Sequence, residues 1–445
     1  MQLGRGTHPG RVVPVVLYDS RVDDATLPTR DARVSAANWL DPPYNRWSMW
    51  HVREISPTQR VSRGTGPALG LPGRAAPLDM DTVTLARVDG SQGTVRQVLN
   101  DTFTDAFAVL QGGELAAEWY APSGGPDKVH AVLSVTKSLV GCVAGVLLDR
   151  GVLDEDGPVE RYVPGLASSG YAGASVRHLL DMRSGARFLE DYTDPRASIR
   201  EMDRWVLGER GLYAYLPTID AERPHGGHFL YRSSETDVLG WVCERASGSR
   251  MADLIGELVW APMGAADDAD IMSDRTGTAV HDGGLSATAR DLLRFGQLLL
   301  SGGSVPVHEG GRREVLPPGW LRQSWAVDAD VRSAFMESPA ERTFPGGWYR
   351  NQFWFRVGAY GDVLLCMGIH GQLVYVGRRT HTVCVKLSGW PDAQNPVLLQ
   401  DTLRACDAVS GALTHQEPTG DVHRLPGVVS GLSRGRSTRH GPSVV

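Results

Sequence analysis

Ser134 and Lys137 stand three residues apart in Ala131-Val132-Leu133-Ser134-Val135-Thr136-Lys137-Ser138. The stretch that follows, Ser138 to Asp149, is apolar at helical intervals through Leu139, Val140, Val143, Val146 and Leu147, which predicts a helix starting near Ser134. Residues three apart share a helix face, so the hydroxyl and the amine can meet. A serine beside a neutral lysine is an activated nucleophile. Serine is also a good N-cap, lysine is ordinary in helices, and Ser-x-x-Lys alone is a weak motif. Composition strengthens it. Of 45 basic residues only Lys128, Lys137 and Lys386 are lysines, so a serine three places before a lysine is expected by chance about 0.2 times in the chain. Arginine keeps its proton in a protein, whereas a buried lysine can lose it. A base is therefore available at the one place where this serine needs one.

A serine hydrolase also needs a proton shuttle and donors for an oxyanion. Tyr231-Arg232-Ser233 precedes a predicted helix and offers a tyrosine at the edge of a cleft; alone it reads rather as a tyrosine packed on the core with its hydroxyl exposed. Gly368-Ile369-His370-Gly371-Gln372 lies between two predicted strands, where a glycine lets a backbone N–H face a ligand or simply makes a bend. The Ser134 amide, at a helix start, is a second donor. Other chemistries find less. There is no Gly-x-Ser-x-Gly elbow and no phosphate-binding Gly-x4-Gly-Lys loop. His225-Gly226-Gly227-His228 has no acid in helical register and reads as a loop, not a metal site.

The elements that must position these groups are legible in part. The chain has 445 residues, 42% hydrophobic and 22% charged, and a net charge of −6, which gives no bulk attraction to nucleic acid or anionic membrane. Five scattered cysteines in apolar runs read as reduced, buried thiols. The first residues carry no apolar signal core and no run is long enough to span a bilayer, so a cytoplasmic protein is expected. Residues 1–37 read as a loose arm, and the Trp-rich stretch 38–64 as an extended leader clamped onto the body. A hairpin around Gly112-Gly113, the Ser134 helix, a capped helix at 175–182, an irregular pocket-lining stretch at 186–228, helices begun by a capping box at Ser234 and by Thr288, four C-terminal strands and a last helix from Pro396 to Val409 follow. Residues 413–445 are polar and aperiodic and read as a disordered tail. The order implies an α+β fold: 38–160 and 285–412 form a discontinuous α/β domain, and 161–284 a mainly helical insertion lining the site.

Ser-x-x-Lys, then Tyr-x-Ser about a hundred residues on, then a glycine-containing strand motif resembles the serine β-lactamase and penicillin-binding-protein superfamily, class C-like. Within it the chain resembles the 6-aminohexanoate-dimer (nylon-oligomer) hydrolases. The likeness runs from about Asn38 to about Val409, through Asp105-Ala106-Phe107, Glu190-Asp191-Tyr192, Thr236-Asp237, Gly283-Gly284 and Val385-Lys386-Leu387-Ser388. It implies an antiparallel sheet flanked by helices and a set of roles. Ser134 resembles the acylated nucleophile, Lys137 its base, and Tyr231 the tyrosine that shares proton transfer. The amides of Ser134 and Ile369 resemble the oxyanion hole. Tyr192 resembles a mobile tyrosine closing over substrate, Asp203 an acid facing a substrate ammonium, and Ser233 a supporting hydrogen-bond partner of Tyr231. Asp282 and His370 fall where substrate contacts are made. His370-Gly371 stands where β-lactamases carry Lys-Thr-Gly, which argues against β-lactam hydrolysis.

The implied function is acyl-enzyme hydrolysis of short linear amides, short-chain esters, or both, without metal or organic cofactor. Its partner is a small molecule, not nucleic acid or membrane, and a homodimer stays open. The competing readings are a carboxylesterase or D-amino-acid amidase of the same superfamily, and a non-catalytic binding module on this scaffold.

Overall fold

The computed structural model describes residues 34–307 and 310–414. The arm and the tail expected at the two termini lie almost wholly outside these residues.

Seven antiparallel strands form the main sheet, in the order Trp348–Arg350, Phe353–Gly358, Gly361–Gly368, Gln372–Gly377, Thr382–Ser388, Thr104–Gln111, Glu114–Tyr120. Strands from both ends of the chain meet where Lys386 pairs with Phe107. The alternation of a strand decides its two faces. Ala106, Ala108 and Leu110 enter the larger core with Val383, Val385 and Leu387, while Phe107 and Val109 enter a second core with Cys384. The helix Ala289–Leu300 covers the first face, its start capped by the Thr288 side chain on the Asp291 amide. The helices Val95–Asp101 and Pro396–Thr414 cover the second.

The helix Val135–Asp149 lies between the strand Gly361–Gly368 and the helix Ser233–Ser247. Its close approach to the turn at Asn351-Gln352 depends on Gly141, where a Cβ would fall 2.6 Å from the Asn351 carbonyl oxygen. A second, four-stranded sheet fixes its start. The order is Thr58–Val61, Ala269–Met272, Leu285–Ala287, His130–Ala131, so the residues just before Ser134 are held in a ladder.

Several expectations are corrected. The leader is not extended. It forms two short helices, Asn45–Ser48 and Val52–Ile55, and then a strand, because its apolar side chains bury locally: Met49 and Val52 cluster with Ala131 and Leu133. The stretch 186–228 holds an amphipathic helix, Ser198–Leu207, packed through Ile199, Met202 and Val206. The helix placed after a Ser234 cap begins at Ser233, with no side-chain cap, because the Ser234 hydroxyl accepts from the Tyr171 hydroxyl at 2.8 Å and Asp237, which would close the box, accepts from the His281 and Asp282 amides at 3.0 and 3.2 Å. The last helix continues to Thr414. Among the described residues all five cysteines are free and buried, and no helix is long and apolar enough to cross a membrane.

Candidate active site

Ser134 is the N-cap of its helix, yet its side chain makes no capping hydrogen bond. The hydroxyl instead accepts from the Lys137 Nζ at 2.9 Å, both groups being buried. The alternative reading of Ser134 as a capping residue is therefore not what the geometry gives. Leu133, just before it, has φ of 47°, a conformation costly for a branched apolar residue and held only where neighbours over-determine it. Thr136 does the holding: its amide and hydroxyl donate to the Leu133 carbonyl at 2.9 and 2.6 Å, and its hydroxyl accepts from the Leu285 amide at 3.0 Å. The leader adds the Met49 carbonyl, which accepts from the Ala131 amide at 2.7 Å.

Lys137 also donates to the Asp282 carbonyl oxygen at 2.6 Å and lies 3.4 Å from the Asp282 Oδ2. Its Nζ sits 5.3 Å from the centre of the Tyr231 ring. Burial pulls this amine toward its neutral form, but Tyr231, Asp282, Glu190 and Asp237 together outweigh it and hold the pKa above the ordinary lysine value. These contacts favour the ammonium over the neutral amine. Burial raises the Tyr231 phenol, Lys137 opposes that shift, Glu190 adds to it, and Ser134 and Lys137 favour the phenolate by hydrogen bonding. The Tyr231 ring stacks on Trp354 at 5.2 Å. Its chain neighbour Arg232 is locked by the buried ion pair to Glu235, whose burial pushes that carboxyl up to about 7.

The strand Gly361–Gly368 runs directly beside Ser134. A Cβ on Gly368 would lie 2.6 Å from the Val132 carbonyl oxygen and 3.1 Å from the Ser134 nitrogen, so only glycine fits. Ile369 follows immediately. Among the hydrogen bonds of the described residues, neither the Ser134 nor the Ile369 amide donates to another group of the chain. Two N–H groups on adjoining backbone beside a buried hydroxyl are what a tetrahedral oxyanion needs.

The remaining expected residues divide. Tyr192 donates to the Glu190 Oε1 at 2.5 Å, which places it one step from the site. Ser233 does not support Tyr231; its hydroxyl and amide donate to Glu190 at 2.7 and 2.9 Å. Asp203 sits on the helix Ser198–Leu207 with its side chain 48% exposed, and Arg200 is its ion-pair partner at 3.5 Å. Partial burial, with Asp282 added and Arg200 opposing, pushes its pKa up to about 6. His370 has φ of 56°, its Nδ1 meets the Trp390 carbonyl at 2.7 Å, and its amide donates to the Ala393 carbonyl at 2.8 Å, so it does not line the cleft beside Ser134.

Two carboxyls emerge that spacing did not single out. Glu190 lines the cleft next to Ser134, and Asp237 lies fully buried behind Asp282, its Oδ1 accepting from the His281 and Asp282 amides at 3.0 and 3.2 Å. Burial and then Asp282 raise Asp237 well above the carboxylate range. For Glu190 the only sequence signal was its position two residues before Tyr192. Asp237 had none beyond its place in the run Thr236-Asp237.

Comparison with known proteins agrees with this geometry. Residues 92–392 match the family described as Beta-lactamase. The chain is 39% identical over 387 residues, 84% of its own length and 94% of the relative's, to the 6-aminohexanoate-dimer hydrolase of Paenarthrobacter ureafaciens. It is 31% identical over 169 residues, 35% of this chain and 43% of the other, to Esterase EstB of Burkholderia gladioli. A Bacillus anthracis structure described as a candidate 6-aminohexanoate-dimer hydrolase superposes with a TM-score of 0.76 at 24% identity, over 87% of this chain and 99% of that one. The chain belongs to the serine β-lactamase superfamily and, within it, to the 6-aminohexanoate-dimer hydrolase family, and it is a serine hydrolase of amides or esters.

Proposed function

We propose that Ser134 is acylated by a short linear amide or ester, with Lys137 and Tyr231 moving its proton. The observation that carries this is the 2.9 Å contact between the Lys137 amine and the Ser134 hydroxyl, beside two amides without acceptors. A bound substrate displaces water from the cleft, and the loss of water disfavours the charged pair Lys137–Asp282. The neutral form of Lys137 takes the Ser134 proton as the hydroxyl attacks the carbonyl. The oxyanion rests on the Ser134 and Ile369 amides. Tyr231 gives its proton to the departing amine or alcohol and recovers one from Lys137. Water enters by the same route in reverse and releases the acid.

The acyl part of the substrate is an amino acid like that in the name of the Paenarthrobacter relative, with Asp203 meeting its ammonium. A carboxylesterase is the second reading, favoured by the apolar lining of the cleft. Five free thiols fit a reducing, cytoplasmic setting. Lys137→Arg tests the proton transfer. It keeps the cation and loses the base, so turnover should fall as far as in Lys137→Ala; an active arginine variant would make Lys137 a structural cation.

A further inference from the structure

The cleft at Ser134 continues into a pocket of about 430 Å3, a size suited to a small organic group. Phe344, Trp354, Met367, Leu373 and Leu399 form much of its wall. Ser134, Ile369 and Tyr231 belong to the same lining. No lysine or arginine lines it, and its one carboxyl, Glu190, is engaged by Tyr192 and Ser233. Arg200 is not part of the lining and is paired with Asp203. The pocket thus offers a largely apolar wall without a cation, and Tyr231 is part of it.

We propose that the apolar pocket is the leaving-group subsite, that it takes an uncharged alkyl or aryl arm, and that it rejects an arm ending in a carboxylate. This rests on the reading of Ser134 as nucleophile and Tyr231 as donor to the leaving atom, since the arm attached to that atom must lie on the Tyr231 side. An apolar arm there gains from leaving water, about threefold in kcat/KM for each buried methylene. A carboxylate there loses its hydration and meets no counter-charge, which costs on the order of thirtyfold or more. The preferred substrates are amides of simple alkylamines and esters of longer alcohols. The dimer of 6-aminohexanoate ends in a carboxylate on its leaving arm, and this chain is expected to handle it poorly.

The test uses the full chain and matched substrates. Ethyl, butyl and octyl acetate extend only the leaving arm, while p-nitrophenyl acetate and octanoate extend only the acyl arm. The 6-aminohexanoyl amides of hexylamine and of 6-aminohexanoate differ in one terminal carboxylate. The expected result is a kcat/KM that climbs about threefold per methylene along the alkyl acetates, a flat acyl series, and a hexylamide cleaved at least roughly thirtyfold faster than the acid. Thr343→Lys, which puts a cation in the pocket wall, should narrow that last ratio about tenfold. Equal rates on the two amides, or a gain confined to the acyl series, overturns the subsite while acetate turnover and acylation of Ser134 leave the serine hydrolase reading intact. Turnover without acylation of Ser134 overturns both.

Discussion

Asp282 meets Lys137 twice, through its carbonyl oxygen at 2.6 Å and through its carboxylate Oδ2 at 3.4 Å from the Nζ. The residue expected to touch substrate is thus the counter-ion of Lys137. Lys137 is also faced by Tyr231, Glu190 and Asp237, which act in the same direction. With its pKa raised, Lys137 is charged below that value, and neutral amine grows as pH rises toward it. Asp282→Asn removes one of these raising charges, so the acid limb of the kcat/KM profile should move to lower pH by about one unit. A limb that stays in place would show that Asp282 does not set the charge on Lys137.

Asp203 titrates within the working range, its carboxyl being pushed up to about 6. Below that pH it is neutral and above it is charged. Preference for an amino-terminated amide over an uncharged short ester should therefore rise as pH passes upward through about 6. Asp203→Asn should abolish the rise and lower the preference about tenfold at neutral pH, because an incoming ammonium must also compete with Arg200. The same pH dependence in the Asn variant would assign the titration to another group.

The strand next to the nucleophile has no room for a side chain at Gly368. In Gly368→Ala the new Cβ would stand 2.6 Å from the Val132 carbonyl oxygen, so the strand must shift and carry the Ile369 amide with it. Losing one oxyanion donor costs about a hundredfold or more in kcat. KM for a short ester should change much less. A fall in KM affinity with kcat preserved would mean that Ile369 contributes binding, not oxyanion stabilisation.

Lys386 is fully buried, donates to the Thr102 carbonyl at 3.1 Å and sits 5.4 Å from the Trp390 ring centre. Burial lowers it to about 7 from an ordinary value of 10.5. The folded chain thus refuses a proton that the unfolded chain accepts. The resulting penalty is complete below about pH 7 and fades as pH rises toward 10.5. Lys386→Met should raise the melting temperature more at pH 6 than at pH 9, by an amount on the order of 2 kcal/mol at the acid end. An equal effect at both pH values would mean that the lysine stays charged in the fold.

What the sequence made legible was local. Ser134 and Lys137 are one helical turn apart, so their meeting follows from spacing alone, and the alternating strands at 104–120 and 353–388 follow from their own residues. What it concealed was long-range or conformational. Asp282 reaches Lys137 across 145 residues, and no local pattern marks that contact. His370 looked like a substrate ligand, but a left-handed backbone turns its ring to the Trp390 carbonyl. The Ser234 capping box failed because the residue that should have closed it, Asp237, accepts instead from the His281 and Asp282 amides. The helix carrying Asp203 was missed because only a strip of it is apolar, Ile199, Met202 and Val206, among charged residues.

The account stands on covalent attachment at Ser134. Intact-mass and peptide mapping of the full chain, quenched during turnover of a p-nitrophenyl ester, tests it directly. The expected result is the mass of one acyl group on the peptide that contains Ser134, accumulating further in Tyr231→Phe, and absent from Ser134→Ala, which should keep its fold and lose turnover. An acyl group on another residue, or a Ser134→Ala variant with activity within about tenfold of the parent, would contradict it.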